Sequence, residues 1–303
     1  MDGTTPALGE ILRATSFDPH WVAAFVVAIA LYAVAYHRAL HGVPRVRLLR
    51  LRAAAFALGL LALWLGVQSP LEHYGNQLLW ANFTSFLLIT MVAAPLFVLS
   101  TPLTLAFRVS SPAGRPRLRR LYRGFPVSWL TFPPAAWLIF AIVTYVWQFT
   151  SLTSWAAQHG LVRDLQLLSL LGVGFLFWYV AFAADPVRWR LNHPLRGLYV
   201  LLEMAHKGLF GGMFLSMQTP FHSHFADNVP AWGPSAMDDQ RLGILILWIG
   251  GNLIFIAALI AIVAGWVAFE ARNGRRLDRR LAKEREQQER RRAALEQVFH
   301  KPI

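Results

Sequence analysis

The stretch LLWANFTSFLLITMVAAPLFVL, residues 78–99, contains 22 residues and no charged side chain. A membrane-spanning helix needs about 20 consecutive, mostly apolar residues. An uncharged run of this length is typical of a membrane span and is too long for a single buried strand. The stretch therefore predicts a transmembrane helix.

Similar apolar blocks recur along the chain, and 56% of all residues are hydrophobic. This pattern predicts an all-α polytopic membrane protein, a bundle of seven transmembrane helices. The predicted spans are 21–36, 53–67, 78–99, 129–149, 165–183, 198–217 and 242–269. The first two are short, so we expect interfacial residues such as His20 to extend them. Pro133 and Pro134 fall inside span four, where neighbouring helices can satisfy the freed backbone groups.

The distribution of basic residues predicts the orientation. Of the 29 Lys and Arg residues, 25 lie in the loops after spans one, three and five and in the tail after span seven. Arg13, Arg163 and Arg241 lie on the opposite side, and Lys207 lies inside span six. Because Lys and Arg accumulate on the cytoplasmic side, we expect the N-terminus outside and the C-terminus in the cytoplasm, in a bacterial inner membrane.

The net charge of +13 follows from these cytoplasmic loops and the tail. The expected partner of this charge is anionic lipid, and nucleic acid is not needed to explain it. We divide the chain into an outer N-terminal segment (1–19), the transmembrane domain (20–269) and a basic cytoplasmic helical tail (270–303). The N-terminal segment lacks a basic region before an apolar run, so we interpret it as an outer segment and not as a cleaved signal peptide.

Span six carries three ionisable residues, Glu203, His206 and Lys207, in its cytoplasmic half. Residues three or four positions apart share one helical face, and ionisable groups at this depth usually face the bundle interior and pair. We expect an ion pair between Glu203 and Lys207 that leaves His206 free. The cluster is either a proton- or ligand-handling centre or a structural ion pair that fixes helix packing.

A second set of polar residues is predicted at the outer end of span six. His222 and His224 form a His-x-His motif, which in an extended segment points both rings the same way. Met213 and Met217 precede them, and the chain has no cysteine. Imidazole and thioether ligands without thiolates favour copper. This pattern predicts a copper site.

Further candidates lie in other outer loops. His73 and His159 are weaker additions to the copper ligands. Together with Glu72, Gln148, Asp164, Arg163, His222 and His224 they could line one outer-facing pocket. No Ser/His/Asp arrangement, His-Glu-x-x-His run, P-loop or dinucleotide fingerprint occurs, so we expect no catalysis. A retinal-binding receptor with seven spans would need a Schiff-base lysine, normally in the last span. The last predicted span contains no lysine, which argues against a receptor of this class.

Four segments resemble the CtaG family of cytochrome c oxidase assembly proteins. They are LLWANFTSFLLITMVAAPLFVLSTPLTLAFR (78–108), FPPAAWLIFAIVTYVW (132–147), GVGFLFWYVAFAADP (172–186) and LYVLLEMAHKGLFGGMFLSMQTPF (198–221). The resemblance covers residues 20 to 268. It implies a membrane factor that helps to build a copper-containing oxidase together with an oxidase subunit or other assembly factors.

Several positions depart from that family's pattern. Asn82 and Phe86 stand where the family carries a His-x-x-x-His motif, Gln148 replaces a histidine after span four, and Arg163 and Leu167 replace a second such motif. Three interpretations stay open. Copper handling has moved to His222 and His224, or the chain is a membrane scaffold without metal, or it is a copper transporter.

Overall fold

The computed structural model describes residues 15, 17–40, 46–186 and 188–299, and all regular structure within these ranges is helical. The protein is an all-α polytopic membrane protein. Its helices are α1 (Pro19–Leu40), α2 (Val46–Val67), α3 (Pro70–Tyr74), α4 (Leu79–Leu87), α5 (Ala94–Leu99), α6 (Pro102–Val109), α7 (Gly114–Arg123), α8 (Phe125–Leu130), α9 (Pro133–Phe149), α10 (Leu152–Gln158), α11 (Gly160–Phe182), α12 (His193–Leu215), α13 (Ser223–Asp227), α14 (Ala236–Leu245) and α15 (Gly251–Phe299). Single π-helical segments, Leu88–Ala93 and Ile246–Gly250, join α4 to α5 and α14 to α15.

Five helical segments within the described ranges are long and apolar enough to cross a membrane. They are Pro19–Leu40, Arg47–Tyr74, Leu79–Val109, Gly160–Phe182 and Ala236–Arg275. The pair α9 and α10, bent by 68°, makes a sixth if it counts as one span. Helix α12 has 23 residues, as many as α11, but its charged residues lower its hydropathy. The predicted number of seven spans requires α12 to cross as well.

Several span boundaries differ from the predicted ones. Helices α1 and α2 each have 22 residues, so neither is short. Pro133 and Pro134 do not interrupt a span but begin α9, where a missing N–H breaks no intrahelical hydrogen bond. Helix α12 ends at Leu215, with Ser216 as its C-cap, two residues before the predicted end of span six at residue 217.

The segment quoted first, now α4, a π-helical turn and α5, lies at the centre of the bundle. Ile89, Ala93 and Ala94 are fully buried. Gly174 of α11 packs so closely that a Cβ there would lie 3.1 Å from the Thr90 carbonyl oxygen. The Trp178 indole N–H donates to that same oxygen at 2.9 Å. The uncharged stretch thus forms the axis around which the other helices pack.

Two buried aspartates cap the helix starts that flank this central segment, α4 at its beginning and α6 just after its end. Asp239 of α14 accepts from the backbone N–H groups of Leu79 and Trp80, at 2.7 and 3.0 Å. Asp185, after α11, accepts from the N–H groups of Leu103 and Thr104 at the start of α6. Free N–H groups at a helix start bind carboxylates well. These contacts fix the central segment between the last span and the fifth.

The chain separates into two compact units, one up to Ala257 and one from Ala258 onward. The second unit is the continuation of α15, and helix persists to Phe299, through most of the predicted tail. Within it, Leu281 is 44% exposed and the Trp266 indole N–H donates to Glu270. Residues 1–14 of the predicted N-terminal segment and 300–303 of the predicted tail lie outside the described residues.

Candidate functional site

A polar cavity of 310 Å³, called here the outer pocket, lies on the side predicted to face outward. It is formed by the start of α1, helix α3, the end of α10 and the start of α11. Its polar lining consists of Asp18, His20, Glu72, His73, Asn76, Gln158, His159, Arg163 and Asp164. The pocket therefore gathers five of the eight residues that were predicted to share one. Gln148 lines a different cavity, and His222 and His224 are not in the lining of the outer pocket.

A buried ion pair forms one wall of the outer pocket. Arg163 and Glu72 are 6% and 7% exposed, and they make a two-pronged contact, Nε to Oε1 at 2.8 Å and Nη2 to Oε2 at 2.5 Å. The third guanidinium nitrogen, Nη1, donates to Gln166 Oε1 at 2.7 Å. Charge-assisted, bidentate contacts of this kind are the strongest hydrogen bonds in proteins. Both carboxylate oxygens of Glu72 thus bind Arg163, and the pair connects α3 to α11.

The pocket also contains His20 and Asp18, which the sequence did not indicate as pocket residues. Asp164 accepts from the Trp21 indole N–H at 2.8 Å and contacts His20 Nε2 at 3.1 Å. Asp18 also lines the pocket, and its backbone N–H donates to Gln68 Oε1. His20 and Asp164 are 144 positions apart, so no local spacing could have shown their contact. The only signal was that both residues fall at outer span ends.

His222, the first predicted copper ligand, is a buried residue held by one hydrogen bond and three aromatic rings. It is 3% exposed, and its Nε2–H donates to the Gln148 carbonyl at 3.0 Å. The rings of Phe83, Phe221 and Phe225 lie edge-on to its imidazole. Burial lowers the pKa of His222 to about 4, and the hydrogen bond offsets part of that effect. The ring is therefore neutral at pH 7.

His224 points to another part of the chain. Its Nε2–H donates to the Asn76 carbonyl at 3.0 Å, in the loop between α3 and α4. The His-x-His segment is not extended as predicted, because residues from Ser223 onward form α13. Each histidine therefore attaches the loop after α12 to a different neighbour, His222 to the end of α9 and His224 to the segment before α4.

The predicted copper ligands do not converge in these contacts. Among the described residues no group of three or more His, Asp or Glu side chains could hold a metal ion. Met213 is 42% exposed, whereas Met217 packs against a buried hydrophobic cluster that includes Phe214 and Phe225. His222 and His224 already use Nε2 as donors to carbonyls. This arrangement does not fit a preformed copper centre, since metal binding by both rings needs Nδ1 or the loss of a hydrogen bond.

The polar cluster of α12 lies beside a cavity of 40 Å³. Glu203 is fully buried, and its Oε1 lies 3.5 Å from His206 Nδ1. The Lys207 ammonium group lies 5.2 Å from the ring centre of Phe140, with the rings of Phe86 and Phe255 within 6 Å. The predicted contact between Glu203 and Lys207 is not among the ion pairs of the described residues. Glu203 contacts His206 instead, and aromatic rings surround Lys207.

The five positions that depart from the family pattern separate into different environments. Arg163 and Leu167 line the outer pocket, where Arg163 is bound to Glu72. Gln148 lines the small cavity beside Lys207, and the Phe86 ring lies next to the same ammonium group. The side-chain amide of Asn82 donates to the Gly75 carbonyl at 3.0 Å. Each of these residues has a packing or hydrogen-bonding role of its own.

Most of the chain is similar to known protein sequences. A family model described as cytochrome c oxidase caa3 assembly factor matches residues 20–268. Uncharacterized proteins of Mycobacterium bovis and Mycobacterium tuberculosis are each 27% identical over 291 residues, 90% of this chain and 42% of theirs. One of Mycobacterium leprae is 26% identical over 237 residues, 75% of this chain and 36% of its own.

The chain thus spans less than half the length of these curated relatives. No solved structure matches it. The family model extends from the second residue of α1 into α15 and so includes every helix that forms the outer pocket. By this match, the chain belongs to the family of cytochrome c oxidase caa3 assembly factors.

Proposed function

We propose that this chain is a stoichiometric assembly factor that holds a subunit of a haem-copper cytochrome c oxidase, or another assembly factor, at its outer face. The membrane concerned is the bacterial inner membrane, with the outer pocket facing outward. The family match supports a role in oxidase assembly, and the outer pocket supports a docking site at the outer face. The observation that carries the proposal is the rigid, polar construction of this pocket around the Glu72–Arg163 pair.

The outer pocket suits contact with another protein for two reasons. The buried pair fixes one wall of the pocket, while His73 and His159 in its lining are exposed. Trp155, one turn before His159, is 50% exposed, and exposed aromatic residues on a polar rim are frequent anchors in protein interfaces. A site with preorganised walls and adaptable rim residues loses little conformational entropy when a partner binds.

A site-specific cross-linking experiment tests this proposal. A photoreactive phenylalanine analogue is placed at His73, in the lining of the outer pocket, or at Leu31, an exposed residue in the middle of α1. We expect a cross-link to an oxidase subunit or a known assembly factor from position 73 and none from position 31. Absence of such a cross-link from 73, with unchanged oxidase content in cells lacking the chain, contradicts the proposal.

Copper presentation is a second candidate function. The outer pocket is lined by three histidines, His20, His73 and His159, and by the carboxylates of Asp18 and Asp164, which do not contact Arg163. No three of these side chains form a preformed metal site among the described residues, so the pocket would hold copper only in transit. Here copper would be cargo passed to the oxidase. Imidazole nitrogens suit both oxidation states of copper. His222 and His224, with Met213 and Met217, form the alternative copper site proposed from the sequence.

Copper content of the detergent-purified protein distinguishes these sites. The variants are His73→Ala/His159→Ala and His222→Ala/His224→Ala, each compared with the wild type after incubation with Cu(I). Loss of bound copper only in the first variant assigns the cargo site to the outer pocket, and loss only in the second assigns it to the loop after α12. Absence of copper from the wild type rejects presentation and leaves the docking role.

A further inference from the structure

A groove of 690 Å³ lies at the other end of the bundle, on the side predicted to be cytoplasmic. It runs between the first turns of α9 and α12 and is closed at one end by residues 188–191. Leu138, Leu198 and Leu202 in its walls are 49 to 52% exposed. In a membrane, apolar side chains exposed on a helix surface face lipid. The groove is therefore open to the acyl region of the bilayer.

The closed end of the groove is positively charged and held in place. Arg188 donates from Nη1 to Ser128 Oγ at 2.7 Å, and its guanidinium lies 5.2 Å from the ring centre of Trp189. The Trp189 indole N–H donates to the Ser128 carbonyl at 3.0 Å. Arg190 is exposed beside them and also lines the groove. No carboxylate belongs to the described lining, so an anion there meets no repulsion from it.

Two further donors lie just behind the groove wall. The Trp137 indole nitrogen and the Tyr199 hydroxyl are buried, and neither has a hydrogen-bond partner in the protein. The rings of both residues line the groove. Unsatisfied buried donors are rare because each costs about 1–3 kcal/mol. A bound ligand that brought an acceptor oxygen to either donor would relieve that cost.

We propose that this groove binds one anionic phospholipid, with the phosphate at Arg188 and Arg190 and an acyl chain along the leucine wall. Charge complementarity selects the headgroup, because guanidinium groups only donate and match phosphate oxygens in pairs. The apolar wall and its opening to the bilayer select a lipid over a soluble phosphate. In the predicted orientation the arginines lie at the leaflet that carries anionic lipids. The inference does not depend on the proposed role in oxidase assembly.

Native mass spectrometry of the purified full chain tests this site. The protein in a mild detergent is mixed with phosphatidylglycerol or phosphatidylcholine, and the fraction of protein that retains one lipid is measured. The variant is Arg190→Gln, and the matched control is Arg119→Gln, which removes the same charge from an exposed position on α7. We expect phosphatidylglycerol to be preferred, with retention about fivefold lower in Arg190→Gln and unchanged in Arg119→Gln.

A second variant separates a bound lipid from a bound phosphate. Leu198→Trp fills the groove without changing charge, and we expect it to lower retention of phosphatidylglycerol, while 10-fold molar excess of inorganic phosphate does not. Equal losses in the two arginine variants, equal retention of both lipids, or displacement by phosphate with no effect of Leu198→Trp each overturns the proposal.

Discussion

Breaking the buried Glu72–Arg163 pair should destabilise the fold more than removing both partners. In Glu72→Gln the guanidinium stays buried, at 6% exposure, and loses the carboxylate that two of its nitrogens contact. Removing one partner of a buried pair costs about 3–5 kcal/mol. The Arg163 guanidinium keeps two acceptors, the amide oxygen of the new glutamine and Oε1 of Gln166. We therefore expect the free energy of unfolding to fall by about 3 kcal/mol, the lower end of this range.

The double variant Glu72→Gln/Arg163→Met supplies the comparison. It leaves no uncompensated charge, and methionine has a similar length and adapts to irregular space. Replacing a buried ion pair by uncharged residues is often close to neutral. We therefore expect the double variant to be at least 2 kcal/mol more stable than Glu72→Gln. Asp164→Asn is the control, because it removes one charge from the next residue, whose carboxylate is only partly buried.

Unfolding by sodium dodecyl sulfate in mixed micelles measures these differences through tryptophan fluorescence, since the chain has 12 tryptophans. The control should lose less than 1 kcal/mol, as partly exposed pairs usually contribute that little. Two results would refute the argument that the pair acts as a unit. One is a Glu72→Gln protein as stable as Asp164→Asn. The other is a double variant that loses as much unfolding free energy as Glu72→Gln and Arg163→Met lose separately, added together.

Three further predictions concern stability. The pKa of His222 is about 6.5 in the unfolded chain and about 4 in the folded protein, so between these pH values the unfolded chain binds a proton that the buried ring does not. The free energy of unfolding should therefore fall by about 3 kcal/mol as the pH decreases from 6.5 to 4. His222→Gln should remove this dependence when unfolding is measured over the same pH range. Asp239→Ala should cost about 2 kcal/mol, measured by the same unfolding, because two N–H groups at the start of α4 lose their acceptor; no loss would show that water replaces the carboxylate. Gly174→Val should lower the melting temperature, since its Cβ would meet Thr90 backbone at 3.1 Å, whereas Gly172→Val, with open space around it, should not.

The helical membrane fold follows from the sequence because its main signal is local. Uncharged runs such as residues 78–99 must satisfy their backbone hydrogen bonds internally, and helices do this within one segment. The ends of the helices were less predictable, as their positions depend on capping contacts. Helix α12 ends at Leu215, two residues before the predicted end of span six, and Pro133 begins α9 instead of kinking it. Composition shows that a span exists, but cap residues decide where it ends.

The outer pocket was predicted in part. Glu72, His73, His159, Arg163 and Asp164 were placed on the outer side from the span order alone, and they do line one cavity. Their pairing was not predictable, because the Glu72–Arg163 contact joins residues 91 positions apart.

The cluster on α12 shows where helical spacing alone is an insufficient guide. Glu203 and Lys207, four positions apart, satisfy the usual rule for an ion pair, yet the carboxylate contacts His206, three positions away. The rule applies to exposed helices, where both side chains are free to reach each other through water. Inside the bundle the Lys207 chain is directed by its neighbours, and the rings of Phe86, Phe140 and Phe255 supply the negative faces that an ammonium group prefers to bare hydrocarbon. These rings come from three other helical segments, so the final position of Lys207 depends on the packing of the whole bundle.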